Sequence, residues 1–226
     1  HSCYEIMFVL SGSITNHVEN QTFTYGPGQC CVMNKNIKHC EIVAGDFQVV
    51  FFMIQDVFLE QLLEEYEEVS EHKTEAPGMN PIFQLYLDSL HKTSRFHKVY
   101  LDYLPVIPAD SILEQLNPLF NFMLEEIRKN SPGSLFFLKG TFARFLQILD
   151  TPSLYCMARV QSDSSSQEYI FSKICHIMEA SRGRSSREYL EKQLHYNGEY
   201  LNRIVKKYTG KTISEYGQDF CLAEAG

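Results

Sequence analysis

Six short apolar runs crowd into residues 3–58, each cut off by turn chemistry, and that spacing admits strands and little else. Tyr4 to Leu10 and Ile14 to Val18 flank a Ser11-Gly12-Ser13 break and read as a hairpin. Gln21 to Tyr25 is closed by Gly26-Pro27-Gly28, a turn signal. Cys30 to Met33 and Glu41 to Val43 follow, with the polar stretch 34–38 between them. Phe47 to Ile54 is almost unbroken apolar chain, which suits a strand buried on both faces. So many short strands at close spacing predict a barrel or a sandwich.

The period then changes. Leu59, Leu62, Leu63 and Tyr66 recur at helical spacing, with glutamates between 60 and 75 forming a wet face. Residues 76–81 are a break. Val99 to Val106 reads as a strand returning to the sheet, ended by Pro105 and Pro108. Leu113, Leu116, Phe120, Met123 and Ile127 follow a 3-4-3-4 spacing. After the turn Asn130-Ser131-Pro132-Gly133, Leu135, Leu138, Phe142, Phe145 and Leu149 repeat it. This predicts an antiparallel helical hairpin with two apolar seams. Its seams call for a partner surface. A second copy of the chain is the favoured one, giving a homodimer interface at Leu113, Leu116, Phe120, Met123, Leu138, Phe142 and Phe145; packing on the β-rich part is the alternative.

Ser162 to Gln167 reads as a linker and as the clearest boundary in the chain. Beyond it Ile170, Phe171, Ile174, Ile177 and Met178 mark an amphipathic helix. Ser185-x-x-Glu188 is a capping box opening a short helix with Leu190 and Leu194. The turn His195 to Gly198 leads to a third helix, Glu199 to Tyr208, with Leu201, Ile204 and Val205 inward. Gly210 caps that helix, and a fourth starts at Thr212 and buries Ile213, Tyr216 and Phe220. Two helices joined by a short Gly-containing turn, the second basic on its outer face, follow helix-turn-helix grammar.

Charge supports that reading. The chain of 226 residues has a formal net charge of −8, which by itself argues against nucleic acid. From Arg182 to Lys211, however, eight Lys/Arg face three Glu. A cationic segment on an acidic body places a polyanion at one end only. Base edges would be read by Asn202 and Arg203, and phosphates contacted by Lys206, Lys207 and Lys211, with Glu199 a further residue on the DNA-binding side.

Other classes find little support. No run of apolar residues is long enough for a bilayer span, and the first residues are no signal peptide. Seven cysteines, none in a Cys-x-x-Cys pair, read as reduced thiols in a cytoplasmic protein, with Cys30 and Cys31 on opposite faces of one strand. There is no Gly-x-Ser-x-Gly motif and no Gly-rich phosphate loop. No catalytic residue, metal or cofactor is assigned.

The segment Tyr200-Leu201-Asn202-Arg203-Ile204-Val205-Lys206-Lys207-Tyr208-Thr209-Gly210, continued by Ser214 and Tyr216, resembles the first helix-turn-helix of the AraC/XylS family of bacterial transcription regulators. At the other end, His1-x-x-x-Glu5 followed by Gly12 resembles the first cupin motif, and Pro27-Gly28 with Asn34 and His39 a degenerate second one. The resemblance implies an α+β, multidomain chain: a cupin-like β-barrel sensor over 1–110, a helical dimerisation hairpin over 111–161, and a partial all-α helix-turn-helix domain over 162–226. It implies a double-stranded DNA operator, a small-molecule effector, a second copy and RNA polymerase as partners, and no membrane. Cys3, Glu5, Met7 and His39 are the candidate effector-binding residues. Two alternatives stay open: a metal-dependent cupin enzyme with His1, Glu5 and His39 as ligands, and an effector-free dimeric DNA-binding module.

The chain departs from the family pattern in three places. It ends at Gly226, inside the helix that joins two such units in the family, and both ends read as cut. Glu191 stands where Ala is usual and Val205 where Phe is. Cys221 replaces a common Arg.

Overall fold

The structure is a computed structural model that describes residues 3–223, except 20, 36, 44, 72–78, 92–97 and 162–165. The strands are β1 (Tyr4–Ser11), β2 (Ile14–Val18), β3 (Gln21–Tyr25), β4 (Cys30–Met33), β5 (His39–Val43) and β6 (Gln48–Ile54). Helices α1 (Asp56–Glu71) and α2 (Pro81–His91) lead to β7 (Val99–Pro105). The hairpin α3 (Ala109–Lys129) and α4 (Ser134–Leu149) leads to β8 (Tyr155–Gln161). The chain closes with α5 (Ser166–Ala180), α6 (Arg187–Leu194), α7 (Gly198–Thr209) and α8 (Ile213–Ala223).

The strands form two antiparallel sheets, in the orders β6-β1-β4-β7-β8 and β3-β2-β5. The expected barrel is therefore not closed. Among the described residues no ladder joins the two sheets, and they face each other as a sandwich. The strand at 155–161 was not expected from the sequence: it follows the hairpin and pairs with β7 from Val99↔Gln161 to Pro105↔Tyr155. Of the linker expected over 162–167, residues 162–165 lie outside the described residues, while Ser166 and Gln167 already belong to α5.

Alternation along β1 sorts the core into two layers. Tyr4, Ile6 and Phe8 face α1 to α4, while Met7 and Val9 face the smaller sheet. Cys30 and Cys31 split the same way, one to each layer. The inner strands β1, β4 and β7 are buried on both faces. Edge strand β6 is not, which corrects the reading of Phe47 to Ile54: Phe51 and Met53 are 44% and 52% exposed because β6 has no strand on its outer side.

The hairpin seams are used inside the molecule, which corrects the expected dimer interface. Leu116, Phe120, Met123, Phe142 and Phe145 are at most 4% exposed and pack on the sheet. Leu113 and Leu138 pack at the edge of the same cluster. The ring of Phe120 meets Phe8 at 5.1 Å, and Phe145 stacks on Phe52 at 5.4 Å. The reason is geometric: the sheet offers a two-dimensional apolar face next to the hairpin, and burying a seam there costs no association entropy. Ile127 and Leu135, read as seam residues, instead lie exposed near the hairpin tip. The tip is fixed by Asn130 and Gly133, both left-handed, and by the Ser134 hydroxyl donating to buried Glu126 at 2.9 Å.

The C-terminal helices share the inner layer. Tyr169, Ile170, Ile174, Ile177 and Met178 of α5 form one cluster with Met7, Phe23, Tyr25, Tyr100 and Val160. Beside this seam, the Gln29 amide donates to the Gln193 carbonyl at 2.9 Å. The Phe145→Ala variant is expected to lose about 3–5 kcal/mol of stability, and Phe137→Ala, at an exposed site, under about 0.5 kcal/mol. Urea denaturation of the two variants checks this.

Candidate nucleic-acid interface and sensor interior

The helix-turn-helix is assembled by local caps. The Ser186 hydroxyl, one residue beyond the expected cap, accepts from the Tyr189 N–H at 3.1 Å and starts α6. His195 ends α6 in the left-handed region with φ 58°. Asn197 then caps α7 by accepting from the Glu199 N–H at 2.8 Å. Glu191 accepts the Gly198 N–H at 2.6 Å, a carboxylate placed at the positive end of α7. At Gly198 a Cβ would come within 2.0 Å of Glu191 Oε1 and 2.1 Å of Arg187 Nε, so a side chain there would displace these two side chains from the start of α7. The family departure at Glu191 therefore has a structural use, which the capping rules could have suggested from sequence.

Helix α7 buries Leu201, Ile204 and Val205 and exposes Glu199, Arg203, Lys206 and Lys207 on one side. Of the six residues expected at DNA, these four share that face. Arg203 lies over the Tyr200 ring at 5.5 Å, and Lys207 donates to Gln167 at 2.6 Å. The other two are engaged within the fold. Asn202 Oδ1 accepts the Ile213 N–H at 2.9 Å, capping α8, and the Lys211 ammonium holds both Asp219 oxygens at 2.6 and 2.7 Å. Gly210 is the left-handed C-cap of α7, as expected.

At the other end the structure brings Glu5 and His39 together. His39 Nε2 lies 3.2 Å from Glu5 Oε1 and 3.7 Å from Glu41 Oε1, while its Nδ1 meets the Ile37 carbonyl at 3.1 Å. Ligand atoms of Glu5, His39 and Glu41 all fall within 4.8 Å of one another, a set able to hold a cation. Met7 is buried in the inner layer beyond them, and Cys3 is half-buried just before β1. His1 lies outside the described residues. The hydrogen bond to Glu5 raises the His39 pKa above the usual 6.5; burial opposes it, and the charge of Glu5, the Ile37 carbonyl and Glu41 reinforce it.

A second buried pair went unread in the sequence. Asp102, 1% exposed on the inner face of β7, lies 2.5 Å from Lys173 Nζ of α5. Burial drives the Asp102 carboxyl upward and Lys173 pulls it back. The signals were present: Asp102 interrupts the apolar run Val99–Pro105, and Lys173 sits among Tyr169, Ile170, Ile174 and Ile177 on the apolar face of α5.

Comparison with known proteins adds one family match. Residues 5–105 fit the family model of the ExsA N-terminal regulatory domain. This stretch is similar to an ExsA-type N-terminal regulatory domain. It runs from β1 to the end of β7 and so contains Glu5, His39 and Asp102. The match covers 101 of the 226 residues, from β1 to β7, and leaves the helices after β7 outside it. No curated protein matches the chain. Among solved structures, the AraC-like transcriptional activator CuxR is 10% identical, covers 99% of this chain and 67% of its own, and has a TM-score of 0.35. Apo ToxT K231A from Vibrio cholerae strain SCE256 is 13% identical, covering 96% and 89%, with a TM-score of 0.26. Wild-type ToxT from the same strain, bound to unsaturated fatty acid, is 12% identical, covering 96% and 87%, with a TM-score of 0.24. Overlap at these scores fixes nothing further about this chain.

Within the regulatory domain, the raised pKa of His39 has a defined sign. Its charged form stabilises the fold fully below about pH 6.5, and that contribution disappears as pH rises through the higher folded pKa. The stability difference between wild type and His39→Gln is therefore expected to shrink from about pH 6.5 upward, read by urea midpoints across pH.

Proposed function

We propose that this chain is a sequence-specific, DNA-binding transcription regulator in which α7 enters the major groove and the regulatory domain answers a small-molecule effector. The observation that carries this is the face of α7 on which Glu199, Arg203, Lys206 and Lys207 stand exposed together. An α-helix fits the major groove, Arg reads guanine edges with two hydrogen bonds, and Lys binds phosphates. Asn202 and Lys211 support the reading indirectly, by fixing α8 against α7. The regulator reading carries a cytoplasmic location and RNA polymerase as a further partner; no described helix is long and apolar enough to cross a membrane.

The second copy in a homodimer would sit on the outer side of the hairpin tip. Near that tip Ile127, Leu135 and Phe136 are 54–77% exposed, and Phe122 and Phe137 are in edge contact at 6.0 Å. The patch comes from both helices of one hairpin, so a two-fold axis through it would match like with like. A dimer also suits an operator with two half-sites.

Glu5, His39 and Glu41 favour a second reading, a sensor or enzyme that holds a divalent metal. Elemental analysis of protein purified without chelator decides it: stoichiometric manganese, iron or zinc supports the metal, and its absence removes it.

Operators selected from random duplexes provide the main test. Arg203→Ala is expected to weaken the selected site by about 1–3 kcal/mol and relax its sequence, while Lys206→Ala lowers affinity uniformly and reduces the salt slope by about one. If neither variant changes binding, α7 is not the reading helix. The double variant Leu135→Asp/Phe136→Asp is expected to sediment as a monomer with unchanged thermal midpoint. Wild type that is already monomeric at high concentration overturns the dimer.

A further inference from the structure

The sandwich is open along two sides, because its sheets meet at no ladder. On one side β5 and β6 leave Phe51 and Met53 substantially exposed. On the other, between edge strands β3 and β8, helix α5 closes the gap. Its Tyr169 ring packs 4.2 Å from Phe23 and 6.4 Å from Tyr100. One turn on, Lys173 runs its ammonium into the interior, 2.5 Å from Asp102 Oδ2, 4.6 Å over the Tyr169 ring and 5.5 Å from the Tyr25 ring. Beside that pair, Asp102 Oδ1 and the Tyr169 hydroxyl are buried without hydrogen-bond partners.

A carboxylate flanked by aromatic faces is the chemistry that receives an ammonium. A structural core has little use for it, since a buried ion pair gains little net stability over apolar residues of the same shape. Unmet hydrogen-bonding atoms beside the pair add further cost. Here the pair joins a strand of the regulatory domain to the helix that leads into the helix-turn-helix. We propose that the interior of the regulatory domain is a receptor for a primary alkylammonium group, occupied by the chain's own Lys173, and that this occupancy latches α5 and the helices behind it to the sensor. The proposal deepens the regulator reading and rests on it for its meaning: a cation bound at Asp102 would act on the same contact that positions α7. Removing Lys173 would leave Asp102 buried and unpaired, and a free ammonium would restore the pair.

The probe is n-butylammonium, which carries four carbons and the charge of a lysine side chain, with n-butanol and butyrate as controls. In Lys173→Ala, amide hydrogen exchange in α5 is expected to rise at least tenfold, and n-butylammonium alone is expected to return it toward wild type. At tenfold excess over its Kd the probe should lift the thermal midpoint by roughly 3–6 °C. The double variant Asp102→Asn/Lys173→Ala should not respond. If Lys173→Ala is unfolded by itself, folding induced by n-butylammonium and not by n-butanol gives the same support. Absence of any ammonium-specific change in exchange, midpoint or folding overturns the receptor. The Arg203→Ala titration judges the regulator reading separately, because it reads DNA and not α5.

Discussion

A sheet that is apolar on both faces has to be covered twice, and most of this architecture answers that one demand. The hairpin and the first two helices cover one face of the five-stranded sheet. The three-stranded sheet and α5 cover the other. Because helices from the middle and the end of the chain are both recruited, the β-rich part and the C-terminal helices share a core. The buried ion pair at Asp102 and Lys173 lies in that join. Burial of the apolar neighbours of that pair drives the docking of α5.

Much of the fold was legible because period and punctuation agree. The strands up to residue 54 follow from apolar runs cut by Gly, Pro and Ser, and the boundaries of α7 follow from Asn197 and Gly210. What sequence could not supply was the partner of each apolar face. The 3-4-3-4 spacing of Leu116, Phe120 and Met123 states that one side of a helix must be dry, but a sheet and a second chain dry it equally well. The strand at 155–161 escaped notice because Cys156, Met157, Ala158 and Arg159 carry weak strand character and the alternation is incomplete.

The candidate sites show the same division. Exposure of Arg203 and Lys206 follows from helical period alone, so these positions were readable. The engagement of Asn202 with Ile213 and of Lys211 with Asp219 depends on where α8 returns, which no local pattern gives. Glu5 and His39 were linked by a motif and are joined in space through β1, β4 and the smaller sheet. Glu41 joins them because it lies two residues along β5 on the same face as His39.

The glycine contact between the end of α5 and α8 sets how the reading unit behaves as a body. Gly183, at φ 76°, leaves no space for a side chain, since a Cβ there would lie 2.0 Å from the Gly217 carbonyl oxygen. Backbone therefore meets backbone, and α8 has almost no latitude to pivot on α5. A side chain at either Gly183 or Gly217 would therefore wedge α8 away from the end of α5.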